Sequence, residues 1–571
     1  VLLMLSLLLA CRDAPSPAAD ARALAGTVDS AVDEPALPES SEPRYSVEAA
    51  SAAMRSTLAG GGLPGLRRRG LPPADSQLAE VYRDGLIPVW VTAEGRPSAA
   101  SEEALAALRD AGSEGLRPGD YRSPRLDSLG AVLSAAPEPD PEVIGRFDAT
   151  LTTAVLRFAA DLHVGRIDPR TVDAAINAPD DLHDIPSLMA VAIADRRVAE
   201  TLESLRPSLV QYRRLQEALA VYRALADSAV SDVPAVAKSV KPGDLWPGQP
   251  AVHRRLILTG DLDRSVPAPS DSTAYGGALA EGVSRFQARH GLEADGVIGK
   301  ATVAALNVPF RERVRQIELG LERLRWLPDM SGSRFIVVNI PTFQLWAWDS
   351  LTSDGTPALS MNVVVGQSMK TMTPVMQEEM AYLVFRPYWN VPRSIAVGEI
   401  LPKVRKDPGY LTRNNMELVA GGGDDAAPLA ATPANIDRLA RGQLRVRQRP
   451  GPKNSLGLVK FIFPNDQAIY LHDTPAEALF SRARRDFSHG CVRVERPVDL
   501  AAWVLREREG WTRERIVSAM QQGKTQTVTL PRHIPVFLFY TTAISSPDGT
   551  LRFAEDFYRR DARLVHALEA R

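Results

Sequence analysis

Phe487-Ser488-His489-Gly490-Cys491-Val492-Arg493 is the stretch on which the reading of this chain turns. Cys491 is one of two cysteines, and the other, Cys11, closes the apolar run Leu7-Leu8-Leu9-Ala10-Cys11. A mature form would keep one free thiol, and a lone thiol closes no intramolecular disulfide. His489 lies two residues before Cys491 and His472 one short segment upstream, so Cys491 reads as a nucleophile rather than a staple. A thiol of pKa ~8.5 is mostly protonated at neutral pH, whereas the thiolate is the attacking species. Histidine is the side chain suited to take that proton. If residues 489–491 are extended, His489 and Cys491 share a face; His472, ending the run Ala468-Ile469-Tyr470-Leu471, can arrive on a neighbouring strand. Spacing alone does not choose between the two histidines.

The remaining chain sets the frame. At 571 residues it exceeds one hydrophobic core, and the length predicts roughly three to four domains. A formal charge of -2 makes no case for nucleic acid as a partner. Residues 1–10 are the one long apolar run, short of the ~20 needed to span a bilayer, and read as the h-region of a secretion signal. Leu8-Leu9-Ala10-Cys11 resembles the lipobox of bacterial lipoproteins, although no positive charge precedes it. That resemblance implies a signal over 1–11, acylation of Cys11 and a membrane contact through a lipid anchor alone. Arg12, where an Asp would signal inner-membrane retention, points to the outer membrane. The competing reading is a cleaved signal with Cys11 incidental.

Residues 12–75, rich in Ala, Pro, Ser and Gly, predict a disordered tether that buries too little surface to offset its ordering entropy. Residues 76–240 carry helical periodicity, with Ala104, Leu105 and Leu108 and then Val155, Leu156, Phe158 and Leu162, and predict a helical domain. Over 245–310, Leu279, Val283 and Phe286 line one face of a helix from Tyr275 to His290. Gly291 is placed to cap it, Asp295-Gly296 to turn, and Gly299–Asn307 to start the next helix. The phrase from Phe286 to Gly299 resembles the small three-helix peptidoglycan-binding module. His290 there reads as structural. From 335 onward short β-branched and aromatic runs such as Phe335–Ile340 and Val536–Tyr540 predict a mainly β, sandwich-like catalytic domain over 333–565. The polar stretch 396–450, with Gly421-Gly422-Gly423, reads as an inserted lid. The whole is a multidomain α+β chain.

His472-Asp473-Thr474-Pro475 followed by Ser488-His489-Gly490-Cys491-Val492-Arg493 resembles the signature of the L,D-transpeptidases. The likeness extends through Arg449–Gly457, Tyr388-Trp389-Asn390-Val391-Pro392 and Arg325-Trp326-Leu327-Pro328, and its large subfamily carries the scaffold, wall-binding module and lid. It implies Cys491 as nucleophile and His472 as general base, oriented by a carbonyl such as that of Asp473. Gly490 and Cys491 would supply oxyanion N–H donors, each worth ~3–4 kcal/mol of barrier. Ser488 and His489 would hold the loop. Arg493 would take a substrate carboxylate, with Tyr388 and Trp389 lining the donor cleft. Arg445, Arg447 and Arg449, alternating along a strand, offer a basic rail for stem carboxylates. The implied reaction releases D-Ala from a tetrapeptide stem and cross-links two stems in the cell envelope, with peptidoglycan as partner and neither cofactor nor metal. Competing readings are a cysteine carboxypeptidase or endopeptidase, a non-catalytic wall-binding scaffold and, more weakly, a zinc site on His472, His489 and Cys491.

Overall fold

The computed structural model describes residues 42–60, 74–83, 85–177, 184–270, 272–351, 354–423 and 425–570. Cys11, the leader 1–11 and the tether residues 12–41 and 61–73 lie outside the described residues. Within the expected tether, however, Val47–Gly60 is an α-helix whose Ala50 and Met54 are fully buried. The small residues that suggested a tether serve packing instead. A Cβ on Gly145 of the helix Pro141–Val164 would meet the Ala50 carbonyl oxygen at 2.1 Å, so glycine lets the two helices touch. Pro141–Val164 is the axis of the helical domain, capped by Asp140 and buried along most of its length. Its buried Asp148 accepts from Val89 N, Trp90 N and the Tyr82 hydroxyl, so the polar group in that core is satisfied.

The three-helix module is built from helices Gln249–Leu258, Gly277–Arg289 and Lys300–Leu306 around Val252, Leu256, Val283 and Phe286. Gly291 (φ +67°) and Gly296 (φ +68°) occupy the left-handed turns expected of them. His290 bonds within its own helix, its Nδ1 lying 2.7 Å from the Phe286 carbonyl. Its ring stacks between Phe286 and Phe553, which ties the module to the β-rich C-terminal domain.

The β-rich C-terminal domain is a closed ring rather than the expected open sandwich. Of ten hydrogen-bonded strands, eight follow one another as Val375–Phe385, Val459–Ile462, Leu471–His472, Val492–Val494, Leu359–Gly366, Gln344–Trp348, Phe335–Asn339 and Gln526–Phe539. The last also pairs with the first, which closes the sheet into a barrel. The physical reason is the length of Gln526–Phe539: a register shift between Thr529 and Ile534 bends it. Its second half then bonds Phe335–Asn339 on one side and Met376–Met380 on the other. Closure leaves no free edge in that ring.

Two further features depart from the expected boundaries. The helix Val210–Ala226, assigned by sequence to the scaffold, sends Tyr212, Leu215 and Leu219 into the barrel's core, and Ala174–Ala175 pairs with Val375–Met376. Between Phe385 and Val459 the chain makes a separate unit. Its strands Trp389–Asn390, Arg445–Gln448, Met416–Val419 and Pro428–Leu429 form their own sheet over a core that includes Val404, Leu418 and Val446. It therefore begins before residue 396, because Trp389 and Asn390 pair back onto Gln448 and Arg447.

One fully buried ionic hub joins scaffold and barrel. Arg325, on the helix-ending turn after Phe310–Leu324, donates to the Glu114 carbonyl, to the Tyr212 hydroxyl at 2.7 Å and to Glu322 at 3.4 Å. Glu322 also accepts from Arg166 N and Ile167 N. Removing one partner strands the other charges in low dielectric. Arg325→Met should therefore destabilise the chain by about 3–5 kcal/mol. Denaturant unfolding checks this, and Arg325→Lys, which keeps the charge and loses the fork, should recover only part of it.

Candidate functional site

The strand Leu471–His472 pairs in parallel with Val492–Val494, matching Leu471 to Val492 and His472 to Arg493. On its other side it pairs antiparallel with Val459–Ile462, matching His472 to Lys460. Side chains alternate along a strand, so Phe461, Leu471 and Val492, all fully buried, face the barrel's interior. Lys460, His472 and Arg493 form a row on the opposite face, with Tyr470 and Cys491 two residues before their respective row members. The pairing of neighbouring strands thus brings Cys491 and His472 to one face.

His472 is 4 % exposed, and its Nδ1–H donates to the Asp473 carbonyl at 2.5 Å. That bond leaves Nε2 as the ring's acceptor. The carbonyl is itself held: the Asp473 carboxylate accepts from Leu458 N and Thr474 N, each at 2.7 Å. Burial, then the positive charges of Arg493 and Lys460, push the imidazole down to about 3, against the Asp473 bond. It is neutral at physiological pH.

Cys491 sits 3.7 Å from the Ala468 carbonyl oxygen. Burial pushes its thiol up, while Tyr470, through both N–H and hydroxyl, and the charges of Arg493 and Lys460 pull it down. Tyr470's own hydroxyl is raised, by burial first and then by the charge and hydrogen bond of Cys491. At rest, therefore, both the thiol and the imidazole are uncharged. Tyr470 and Lys460 were not singled out from sequence. Tyr470 shares the period-2 face of His472, which is the signal that would have found it.

The flanking loop is held as a unit. Ser488 Oγ accepts from Gly490 N at 3.1 Å and donates to the Cys491 carbonyl at 2.5 Å. Gly490 has φ +114°, a conformation that favours glycine. His489 points elsewhere: its Nε2 lies 2.6 Å from Glu399, on the single π-turn Ala396–Ile400 of the inserted unit. Arg493 is partly buried, and its Nε has no hydrogen-bond partner among the described residues. Burial lowers its pKa, opposed by Cys491.

Tyr388 and Trp389 are engaged in the inserted unit. Arg447 stacks over the Tyr388 ring at 4.5 Å, and Trp389 packs onto that unit's core. The basic rail is not free. Glu417 pairs with both Arg447 and Arg449, and Arg445 holds the Gly421 and Gly423 carbonyls and Asn390. Among the described residues no three His, Cys, Asp or Glu side chains gather as a metal ion would require, and no helix is long and apolar enough to cross a membrane.

Three family models match this chain. Residues 76–219 match a scaffold domain, 254–306 a domain described as "Putative peptidoglycan binding domain", and 333–528 an L,D-transpeptidase catalytic domain. A relative from Haemophilus influenzae, named "Putative L,D-transpeptidase", is 35% identical over 250 residues. That match takes in 44% of this chain and 49% of the relative, so the chain spans about half the relative's length.

The depressed imidazole has a consequence for stability. An unfolded histidine titrates near ~6.5 and folded His472 at about 3, so the unfolded chain takes up the proton first. Stability from this group is full above pH ~6.5 and is lost as pH falls towards 3. Between pH 7.5 and 4.5 the wild type should lose about 2–3 kcal/mol more than His472→Asn, as read by denaturant midpoints at both pH values.

Proposed function

Because the chain belongs to the L,D-transpeptidases in their form with scaffold and peptidoglycan-binding domains, we propose that it is a cysteine-dependent acyltransferase of the cell wall. The observation that carries this reading is the shared face of Cys491 and His472, with the imidazole's Nδ1–H spent on Asp473. His472 Nε2 takes the thiol proton as the sulfur attacks the carbonyl of the third stem residue, at its L-centre. A carbon–sulfur bond forms, and the tetrahedral oxyanion is met by backbone N–H groups. The bond to the terminal D-Ala nitrogen then breaks, and the imidazolium gives that amine its proton. A side-chain amine of a second stem attacks the thioester, loses a proton to His472 and releases the thiol. The product is a cross-link between the third residues of two stems.

Arg493 suits the donor's carboxylate: a guanidinium beside the thiol, with an unpaired buried Nε, is set for a charge-assisted bond. The inserted unit, joined to the loop through His489 and Glu399, would act as a lid that favours an amine over water. Ser488 would fix the loop, while Gly490 permits its path. Tyr388 and Trp389, engaged in the inserted unit, would shape the donor cleft indirectly. A peptidoglycan substrate places the protein in the cell envelope, and anchoring through Cys11 fits that location.

The test is product analysis on a disaccharide-tetrapeptide by mass spectrometry, with a carbapenem as covalent probe. The wild type should yield cross-linked dimer and free D-Ala and carry one carbapenem adduct on Cys491. Cys491→Ala should abolish both, and His472→Ala should slow adduct formation by about 100-fold or more. Arg493→Lys should raise KM more than it lowers kcat, by roughly 10-fold. Tripeptide without dimer would make the enzyme a carboxypeptidase. Wall binding with unchanged cross-linking in Cys491→Ala would make it a scaffold.

A further inference from the structure

The loop after the strand Leu359–Gly366, Gln367-Ser368-Met369-Lys370-Thr371-Met372-Thr373, lies against the loop that carries the thiol. Gln367 N donates to the Ser488 carbonyl at 3.0 Å, and Thr371 Oγ1 donates to the same oxygen at 2.9 Å. Thr373, fully buried, makes the most specific contact. Its Oγ1 accepts from Gly366 N at 2.9 Å and donates to the Gly490 carbonyl at 2.7 Å. A hydroxyl has one proton, so once Gly366 supplies a donor the Thr373 proton is committed to Gly490.

The consequence follows from the planar amide. In a trans peptide the C=O and N–H point in opposite directions. Anchoring the Gly490 oxygen on Thr373 therefore turns the Cys491 N–H to the other side of that plane. Among the described residues this N–H has no acceptor. Ser488 secures the peptides on either side, through Gly490 N and the Cys491 carbonyl, so the plane between them has one remaining restraint, and that is Thr373. The φ of +114° at Gly490 would otherwise leave this plane the freest in the loop.

We infer that Thr373 is a positioning residue for the oxyanion donor: it orients the Gly490–Cys491 peptide so that the Cys491 N–H is already turned to the oxygen that becomes negative. The inference rests on the acyl-transfer reading above. Thr373 touches neither substrate nor thiol. Its effect is confined to reactions that develop an oxyanion, because only these draw on the N–H.

Two reactions of the same thiol separate this role from general support of the loop. Acylation by a carbapenem passes through an oxyanion, whereas alkylation by iodoacetamide does not. With the full chain, Thr373→Val should slow acylation of Cys491 by about 10–100-fold, the range expected for losing an oriented donor, while alkylation stays within about twofold. Thr373→Ser should restore acylation. Tyr558→Phe removes the hydroxyl that receives Thr373 N and leaves Gly490 untouched, and it should acylate as the wild type does. If Thr373→Val is insoluble, Thr373→Ala carries the same expectation. Acylation at the wild-type rate in Thr373→Val, a parallel fall in both reactions, or no rescue by serine would overturn the inference. A wild type that is alkylated but never acylated, and turns over no tetrapeptide, would overturn the acyl-transfer reading and this inference with it.

Discussion

The parallel pairing of Leu471 with Val492 and of His472 with Arg493 is the constraint on which the site depends. A slip of one residue would carry Leu471 and Val492 to the polar face and His472 into the barrel. Full burial of Phe461, Leu471 and Val492 on the inner face makes such a slip costly, since each large apolar side chain contributes about 1.5–3 kcal/mol by burial. The polar row of Lys460, His472 and Arg493 is thus set by the apolar residues between them. Barrel closure reinforces this, because a ring without edges has no strand that can shift alone.

Electrostatics on that row set the charge state of its groups. Two cations and deep burial keep His472 uncharged, and burial keeps the Cys491 proton in place. An ion pair would need to be stabilised in low dielectric before any substrate arrived. A neutral pair avoids that cost and leaves Nε2 ready to accept. In the proposed reaction Tyr470 and Arg493 would stabilise the charge that develops on sulfur, since both already pull the thiol's pKa down.

The wider architecture packs this face's domain against the three-helix module. His290 stacks on Phe553, Arg289 pairs with Asp261 inside the module, and Glu293 accepts from Ala483 N, close to the catalytic loop. The Arg325–Glu322 hub does the same for the scaffold. Such contacts pack the three parts against one another, so that in the proposed function the module and the thiol keep a fixed relation. The inserted unit, with its own core, reaches the thiol loop through Glu399 and His489.

Residue chemistry and local spacing were enough to single out Cys491 and the two histidines, to outline the helices of the wall-binding module and to mark Gly291 and Gly296 as turns. Those features depend on period, capping and side-chain type, all of which are local. Barrel closure was not legible, because it depends on one strand bending to bond two partners about 150 and 200 residues away. The helix Val47–Gly60 was hidden for a similar reason: its alanines look unstructured until Gly145 offers a surface without a side chain. The arginines at 445, 447 and 449 alternate as a basic face should, and only the arrival of Glu417 from an adjacent strand engages Arg447 and Arg449. Tyr470 and Thr373 join the site through register and through a loop 117 residues distant. Sequence by itself settled which groups can do chemistry, since that is a property of side chains. Tertiary structure decided which of them meet and in what charge state, since burial, register and peptide orientation exist only once distant segments pack.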